Sequence, residues 1–329
     1  MRNYLILFIG VIALLFGCSS LKEQSQNVQE WMAPNGKIKV LSTIAMIDDL
    51  VKQIGGEHVD TLTLIKGELD PHSYQLVKGD DEKLALADII FYNGLGLEHG
   101  PSLQHYLQQQ SKAIPVGNRI MADYPFQILN YNGQLDPHIW MDISLWAKAI
   151  PVIVQILSQK DPEHKTYYAA NGEKLKIEMF REHSETRRIM LEIPEKKRYL
   201  VTSHDAFNYF TRAYLATDEE LEQNAWQKRF AAPEGLAPES QLSATDIQKI
   251  IDHLSRYNIL VLFPESNVSK DSIRKIVQAA KEKGLKVQIA TTYLYADAMG
   301  HPGSDGDSYL KMMHHNAIAI AQYLDGQNK

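Results

Sequence analysis

The tripeptide Asp-Pro-His occurs twice, as Asp70-Pro71-His72 and Asp136-Pro137-His138. Proline disfavours helical geometry in the residue before it, so both copies belong to loops. It also stiffens the backbone ahead of each histidine, and a stiff arm aims an imidazole with less loss of freedom. A neutral imidazole keeps a lone pair near neutral pH and is the commonest transition-metal ligand in proteins. The aspartate two positions earlier is placed either to orient the ring or to cap the next helix. The plainer reading is a turn followed by an incidental histidine, and repetition within one half of the chain argues against it. A third histidine, His204, follows the apolar stretch Tyr199-Leu200-Val201-Thr202. Strand ends are where open α/β sheets place their ligand sites. Taken alone, His204 reads equally as a helix cap or a core residue. Asp297, again just past an apolar stretch, completes a set of three imidazoles and one carboxylate, a borderline-hard set suited to Zn, Mn or Fe.

The elements that must carry these residues follow from patterning. Lys37 to Thr43 is apolar and β-branched, a strand signal. Ile44 to Gly55 has helical apolar spacing and ends on Gly55-Gly56. Val59–Ile65 reads as a strand, Lys78–Ala87 as a helix and Asp88–Tyr92 as a buried strand. The second half restarts with the Tyr199–Thr202 strand, followed by strands over Ile259–Phe263 and Lys286–Thr291 and helices over Asp271–Lys283 and Asp307–Leu324. Strands alternating with helices predict α/β lobes with largely parallel sheets. Between the halves, Asp161-Pro162-Glu163 has the chemistry of a helix start, and the stretch runs to Glu192 before Pro194 stops it. About 30 residues rising ~1.5 Å each span ~45 Å, the length of a rigid connector. Gly172 is its one internal weak point.

Composition narrows the function classes. The apolar fraction is 44% and the charged fraction 22%, ordinary for a globular protein. The net charge of −6 and the absence of any Lys/Arg block argue against nucleic acid as a partner. There is no His-Glu-x-x-His, nucleophile elbow, phosphate loop or dinucleotide fingerprint. Cys18 is the only cysteine, which excludes an internal disulfide and a thiolate metal site. It follows Tyr4 to Phe16, an apolar run of 13 residues. A bilayer span needs ~20 residues, so this run fits the core of a signal peptide instead. Leu15-Phe16-Gly17-Cys18 is similar to a bacterial lipoprotein box, with Phe16 its one departure.

The motifs together resemble those of the metal-binding solute-binding proteins of ABC transporters, the cluster A-I group that includes TroA-like and ZnuA-like proteins. Asp70 to Tyr74, Asp136 to Trp140, Thr202 to Phe207 with Tyr209-Phe210, and Ala296-Asp297-Ala298 with Asp307-Ser308-Tyr309 are similar to its four ligand segments. Phe263-Pro264-Glu265-Ser266 resembles a further signature near the cleft. The resemblance implies two similar (βα) lobes joined by one long rigid helix, with a metal in the interlobe cleft. His72 and His138 would come from the first lobe, His204 and Asp297 from the second, with Glu265 accepting from a ligand imidazole. It implies one divalent Zn, Mn or Fe ion, delivery to a membrane permease and no enzymatic role. The alternatives are a metal-dependent hydrolase of the envelope and a metal-binding adhesin. The expected organisation is a signal peptide over 1–17, a tether over 18–36 anchored to the lipid membrane through acylated Cys18, lobes over 37–160 and 194–329, and a connecting helix over 161–193. The expected state is an extracytoplasmic monomer. Gln75 stands where the family commonly has Glu, and the segment from Leu103 to Gln134 holds one histidine, His105, instead of a His-rich loop. The second departure weakens a dedicated zinc role and leaves Mn and Fe open.

Overall fold

The structure is a computed structural model that describes residues 28–131, 133–238 and 242–325. The expected signal peptide over 1–17, Cys18 and the first part of the expected tether lie outside the described residues. Part of the stretch expected as a tether over 18–36 is folded. Residues 28–32 form a helix, α1, and Trp31 is buried with its indole N–H on the carbonyl of Asp60 at 2.9 Å.

In the first half the chain runs β1 (Ile38–Ser42), α2 (Ala45–Gly55), β2 (Val59–Thr63), α3 (Asp80–Leu86), β3 (Ile89–Tyr92), α4 (Pro101–Gln109), β4 (Ala113–Pro115) and α5 (Val116–Asp123). The four strands form a parallel sheet in the order β2-β1-β3-β4. A hairpin of β5 (Asn130–Tyr131) and β6 (Gln134–Leu135), the short α6 (Ile143–Trp146) and α7 (Ala149–Lys160) complete this half. In the second half come β7 (Leu200–Val201), α9 (Asn208–Phe210), α10 (Asp218–Glu222), β8 (Phe230–Ala231), α11 (Ala244–Tyr257), β9 (Val261–Leu262), α12 (Asp271–Glu282), β10 (Gln288–Ile289) and α13 (Tyr309–Leu324). β7 pairs with β8 and β9 with β10, both parallel. The Phe263 N–H on the Val201 carbonyl, at 2.8 Å, joins the two pairs into the order β8-β7-β9-β10. Both halves therefore repeat one topology.

Alternation along the central strands explains the layering, because successive side chains point to opposite faces. Val40 and Leu41 on β1 are both fully buried, but in two different apolar clusters. Leu200 and Val201 on β7 divide in the same way. The cluster containing Val40 and Leu200 is continuous through both halves, and α2, α7, α13 and the connecting helix α8 (Lys165–Glu192) all contribute to it.

The connector α8 covers Lys165–Glu192, 28 residues or about 42 Å. The Asp161 carboxylate does not cap it. Pro162–His164 form a 3₁₀ turn, and Asp161 instead accepts from His164 Nδ1 and the Tyr168 hydroxyl, each at 2.6 Å. Tyr168, Gly172, Leu175, Met179, Thr186 and Met190 make one buried stripe on α8. Gly172 is not a weak point. A Cβ there would meet Val154 Cγ2 at 2.7 Å, so the missing side chain is what lets α7 lie against α8.

Candidate metal centre

The four residues come from loops that leave the carboxyl ends of strands. His72 lies between β2 and α3, and the Asp70 carboxylate holds its loop by accepting the His72 main-chain N–H at 2.9 Å and the Ser73 hydroxyl at 2.5 Å. Gly100 lets this loop settle on the start of α4, since a Cβ there would sit 2.0 Å from the Tyr74 carbonyl oxygen. Gln75 accepts from the Ser102 N–H and hydroxyl, so it fastens the same loop and brings no charge.

His138 follows the β5–β6 hairpin. Asp136 Oδ1 accepts both its main-chain N–H, at 3.0 Å, and its ring Nδ1–H, at 2.8 Å. An ionised carboxylate only accepts, so Nδ1 carries the proton and Nε2 is left with a lone pair. Of the two Asp-Pro-His copies, only this one has its aspartate on the ring. Trp140 walls the site from below, its indole N–H bound to the Ala296 carbonyl at 2.9 Å.

His204 follows β7, and Glu265 follows β9. Glu265 Oε1 accepts the main-chain N–H groups of Ser203 and His204 at 2.8 and 2.9 Å, while Oε2 receives His204 Nδ1–H. This again turns Nε2 inward. Asp297 follows β10 in a loop pinned by Asn316, which accepts the Tyr295 N–H and donates to its carbonyl.

These arms converge. His72 Nε2 lies 3.3 Å from His138 Nε2, His138 Nε2 lies 3.4 Å from Asp297 Oδ1, and His204 Nε2 lies 3.1 Å from Asp297 Oδ2. His72 Nε2 is 3.7 Å from Asp297 Oδ2, and all four ligand atoms fall within 4.8 Å of one another. An ion with tetrahedral bonds of about 2.0–2.1 Å separates its ligand atoms by about 3.3 Å. The side chains are 0–3% exposed. His204 Nε2 and Asp297 Oδ1 are buried without a hydrogen-bond partner, which is costly unless a cation meets them.

The electrostatics agree with a cation site. Burial pushes the His72 imidazolium down to about 3, so this ring stays neutral and keeps its lone pair. Burial lowers His204 too, but the Glu265 and Asp297 carboxylates outweigh it and hold the ring well above the ordinary histidine range. The three imidazoles, His204 foremost, overcome burial at Asp297 and hold its carboxyl below the usual carboxylate range.

Other histidines sit elsewhere. His99 stacks obliquely 5.6 Å from the His72 ring and bonds the Gly96 carbonyl, and His301 is exposed against the Pro302 carbonyl. His314 pairs with Glu182 and His315 with Asp305. Three supporting residues escaped the sequence reading. Glu98 is buried, which pushes its carboxyl above the usual carboxylate range, and it accepts from the Thr43 hydroxyl and the N–H groups of Asn93 and Gly94. Asn93 in turn donates to the Pro137 carbonyl at 3.0 Å. Asn208 donates to Asp136, and the Asp205 beside it is pushed up to about 6 by burial and by the Asp136 charge. Of the three, Asn93 alone stands directly after a strand; nothing local in the sequence marks Glu98 or Asn208.

The profile of the family described as zinc-uptake complex component A, periplasmic, matches residues 40–323. The chain belongs to this zinc-uptake component A family. Among its relatives, metal-binding protein YtgA of Chlamydia pneumoniae is 40% identical over 313 residues, 95% of this chain and 91% of that one. Manganese-binding lipoprotein MntA of Bacillus subtilis is 34% identical over 295 residues, 88% of this chain and 90% of that one. The crystal structure of Fe(III)-bound YtgA from Chlamydia trachomatis superposes with a TM-score of 0.82 at 38% identity, covering 88% of this chain and 98% of that one. The family description thus names zinc, one relative's name carries manganese and one similar structure is Fe(III)-bound, and the two-lobed α/β fold with one long helix is the fold of that structure.

Proposed function

We propose that this chain is the extracytoplasmic substrate-binding component of an ABC importer, which captures one transition-metal ion and hands it to a membrane permease. The ion is Zn, Mn or Fe, held by His72, His138, His204 and Asp297. The observation that carries this reading is the convergence of four buried donors whose ligand atoms all lie within 4.8 Å of one another. Glu265 and Asp136 serve by fixing the tautomer and aim of His204 and His138. Lobes over 37–160 and 194–329, the connector between them and a lipid anchor at Cys18 complete the proposal, with the protein acting as a monomer. The relatives named as lipoproteins and metal-binding proteins support it. A catalytic zinc site keeps one position for water, whereas four protein donors at tetrahedral spacing favour binding over hydrolysis.

Elemental analysis of the protein isolated from its native envelope tests the proposal. The expected result is one ion per chain in the parent and none in His138→Ala. A parent without stoichiometric metal, or His72→Ala, His138→Ala and Asp297→Ala all as loaded as the parent, would overturn it. The Fe(III)-bound relative makes the oxidation state of any iron found worth a second measurement, by X-ray absorption spectroscopy.

A further inference from the structure

Four residues beyond His204 the chain starts α9 with Asn208, which is buried. Its side-chain nitrogen donates to Asp136 Oδ2 at 3.0 Å and to Asp205 Oδ1 at 2.8 Å. Asp136 belongs to the first half, and its other oxygen holds the His138 ring. Asp205 belongs to the second half and directly follows His204. A primary amide carries two N–H groups, and here one goes to the buried Asp136 carboxylate and one to the half-buried Asp205 carboxylate. Asp136 is fully buried, so the oxygen facing Asn208 depends on that donor. The next residue continues the junction. The Tyr209 hydroxyl donates to the Asp136 carbonyl at 3.0 Å and accepts the Leu129 N–H at 2.9 Å.

We propose that Asn208 is a positioning residue of the metal site, which ties the aim of His138 in the first half to the segment bearing His204 in the second. The inference rests on the metal-binding reading above. Asn208 touches no ion. It holds the Asp136 carboxylate in the plane that receives His138 Nδ1–H, and two carboxylates without this donor repel one another and let Asp136 turn away. The hold on His138 is then conditional on engagement of the two halves, so separation of the halves loosens one ligand arm without breaking a covalent or metal bond first. Leucine at this position keeps the shape and removes both donors.

The test uses the mature chain and Co(II), whose visible spectrum reports ligand number and geometry. The Co(II) dissociation rate is measured with an excess of chelator. Asn208→Leu is expected to change the spectrum and weaken binding about 10–100-fold, the usual effect of losing an outer partner of a ligand, mostly through faster dissociation. If Asn208→Leu does not fold, Asn208→Ser, which offers one donor for two acceptors, is expected to shift both readouts in the same sense. Parental spectrum and dissociation rate in the folded variant, even with a lowered melting temperature, would mean a purely structural role and overturn the proposal. A parent that takes up no Co(II) would instead overturn the metal-binding reading on which it stands.

Discussion

Glu265 spends one carboxylate oxygen on two main-chain N–H groups and the other on the His204 ring. The first pair of bonds fixes the turn after β7, and the third selects the ring tautomer. Glu265→Gln keeps the shape but places an N–H where an acceptor is needed. It should lower metal affinity about 10–100-fold, read by competition with a chromophoric chelator, with the fold intact by circular dichroism. Away from the site, His253 shows how burial, reinforced by a neighbouring charge, sets a pH response. Burial, then the Arg256 charge, pushes its imidazolium down to about 4. An unfolded histidine titrates near 6.5, so between about 6.5 and 4 the unfolded chain binds the extra proton. The contribution of neutral His253 is complete above that window and is lost as the pH falls through it. His253→Gln should flatten the fall in melting temperature between pH 6.5 and 4; an unchanged slope would refute the assignment.

At the scale of elements, the repeated strand order explains where the loops meet. In the order β2-β1-β3-β4 the chain direction of travel reverses between β1 and β3, and in β8-β7-β9-β10 between β7 and β9. Such reversals open a crevice at the carboxyl ends of the strands. A buried glutamate follows the third strand of each half, Glu98 after β3 and Glu265 after β9, and each gathers N–H groups of the loops around it. The connector is supported as well as long, because α2, α7 and α13 pack along it. Its contact with α7 rests on Gly172. Alanine there gains about 1 kcal/mol of helix propensity, while overpacking costs about 1–3 kcal/mol. With Val154 Cγ2 at 2.7 Å and Ile150 Cγ2 at 3.1 Å from the new Cβ, the second effect should win. Urea unfolding should show Gly172→Ala less stable, and Gly172→Val less stable still.

Across the whole molecule, one apolar cluster passes from the first half through α8 into the second. A shared core couples the halves, so thermal unfolding should appear as a single transition in calorimetry; two resolved transitions would show independent lobes. An ion that binds only the folded state adds about 2.7 kcal/mol at a free concentration of 100 times Kd. The melting temperature of the parent should therefore rise with added metal, and that of His138→Ala should not. The same shared core, with the stiff connector, favours small relative movements of the halves over a wide hinge closure.

Much of this protein is legible in its sequence, and for local reasons. The Asp-Pro-His pairs, the strand signals and the long connector depend on chemistry within a few residues, so spacing and side-chain type reveal them. The folding of residues 28–32 is not legible because the stretch around them is mostly polar, and the burial of Trp31 in one apolar cluster with Leu41 and Leu62 is a long-range event. Asp161 looked like a cap because its own preference favours one, yet His164 and Tyr168 compete for the carboxylate once the turn forms. By itself the sequence determined which donor types are present and that they stand on loops after strands. Only the tertiary structure decided that four donors from 226 positions of chain meet within 4.8 Å. It also decided that Asp136 reaches its ring while Asp70 does not, because hydrogen bonding is directional and falls off within tenths of an ångström, a scale no spacing along the chain encodes.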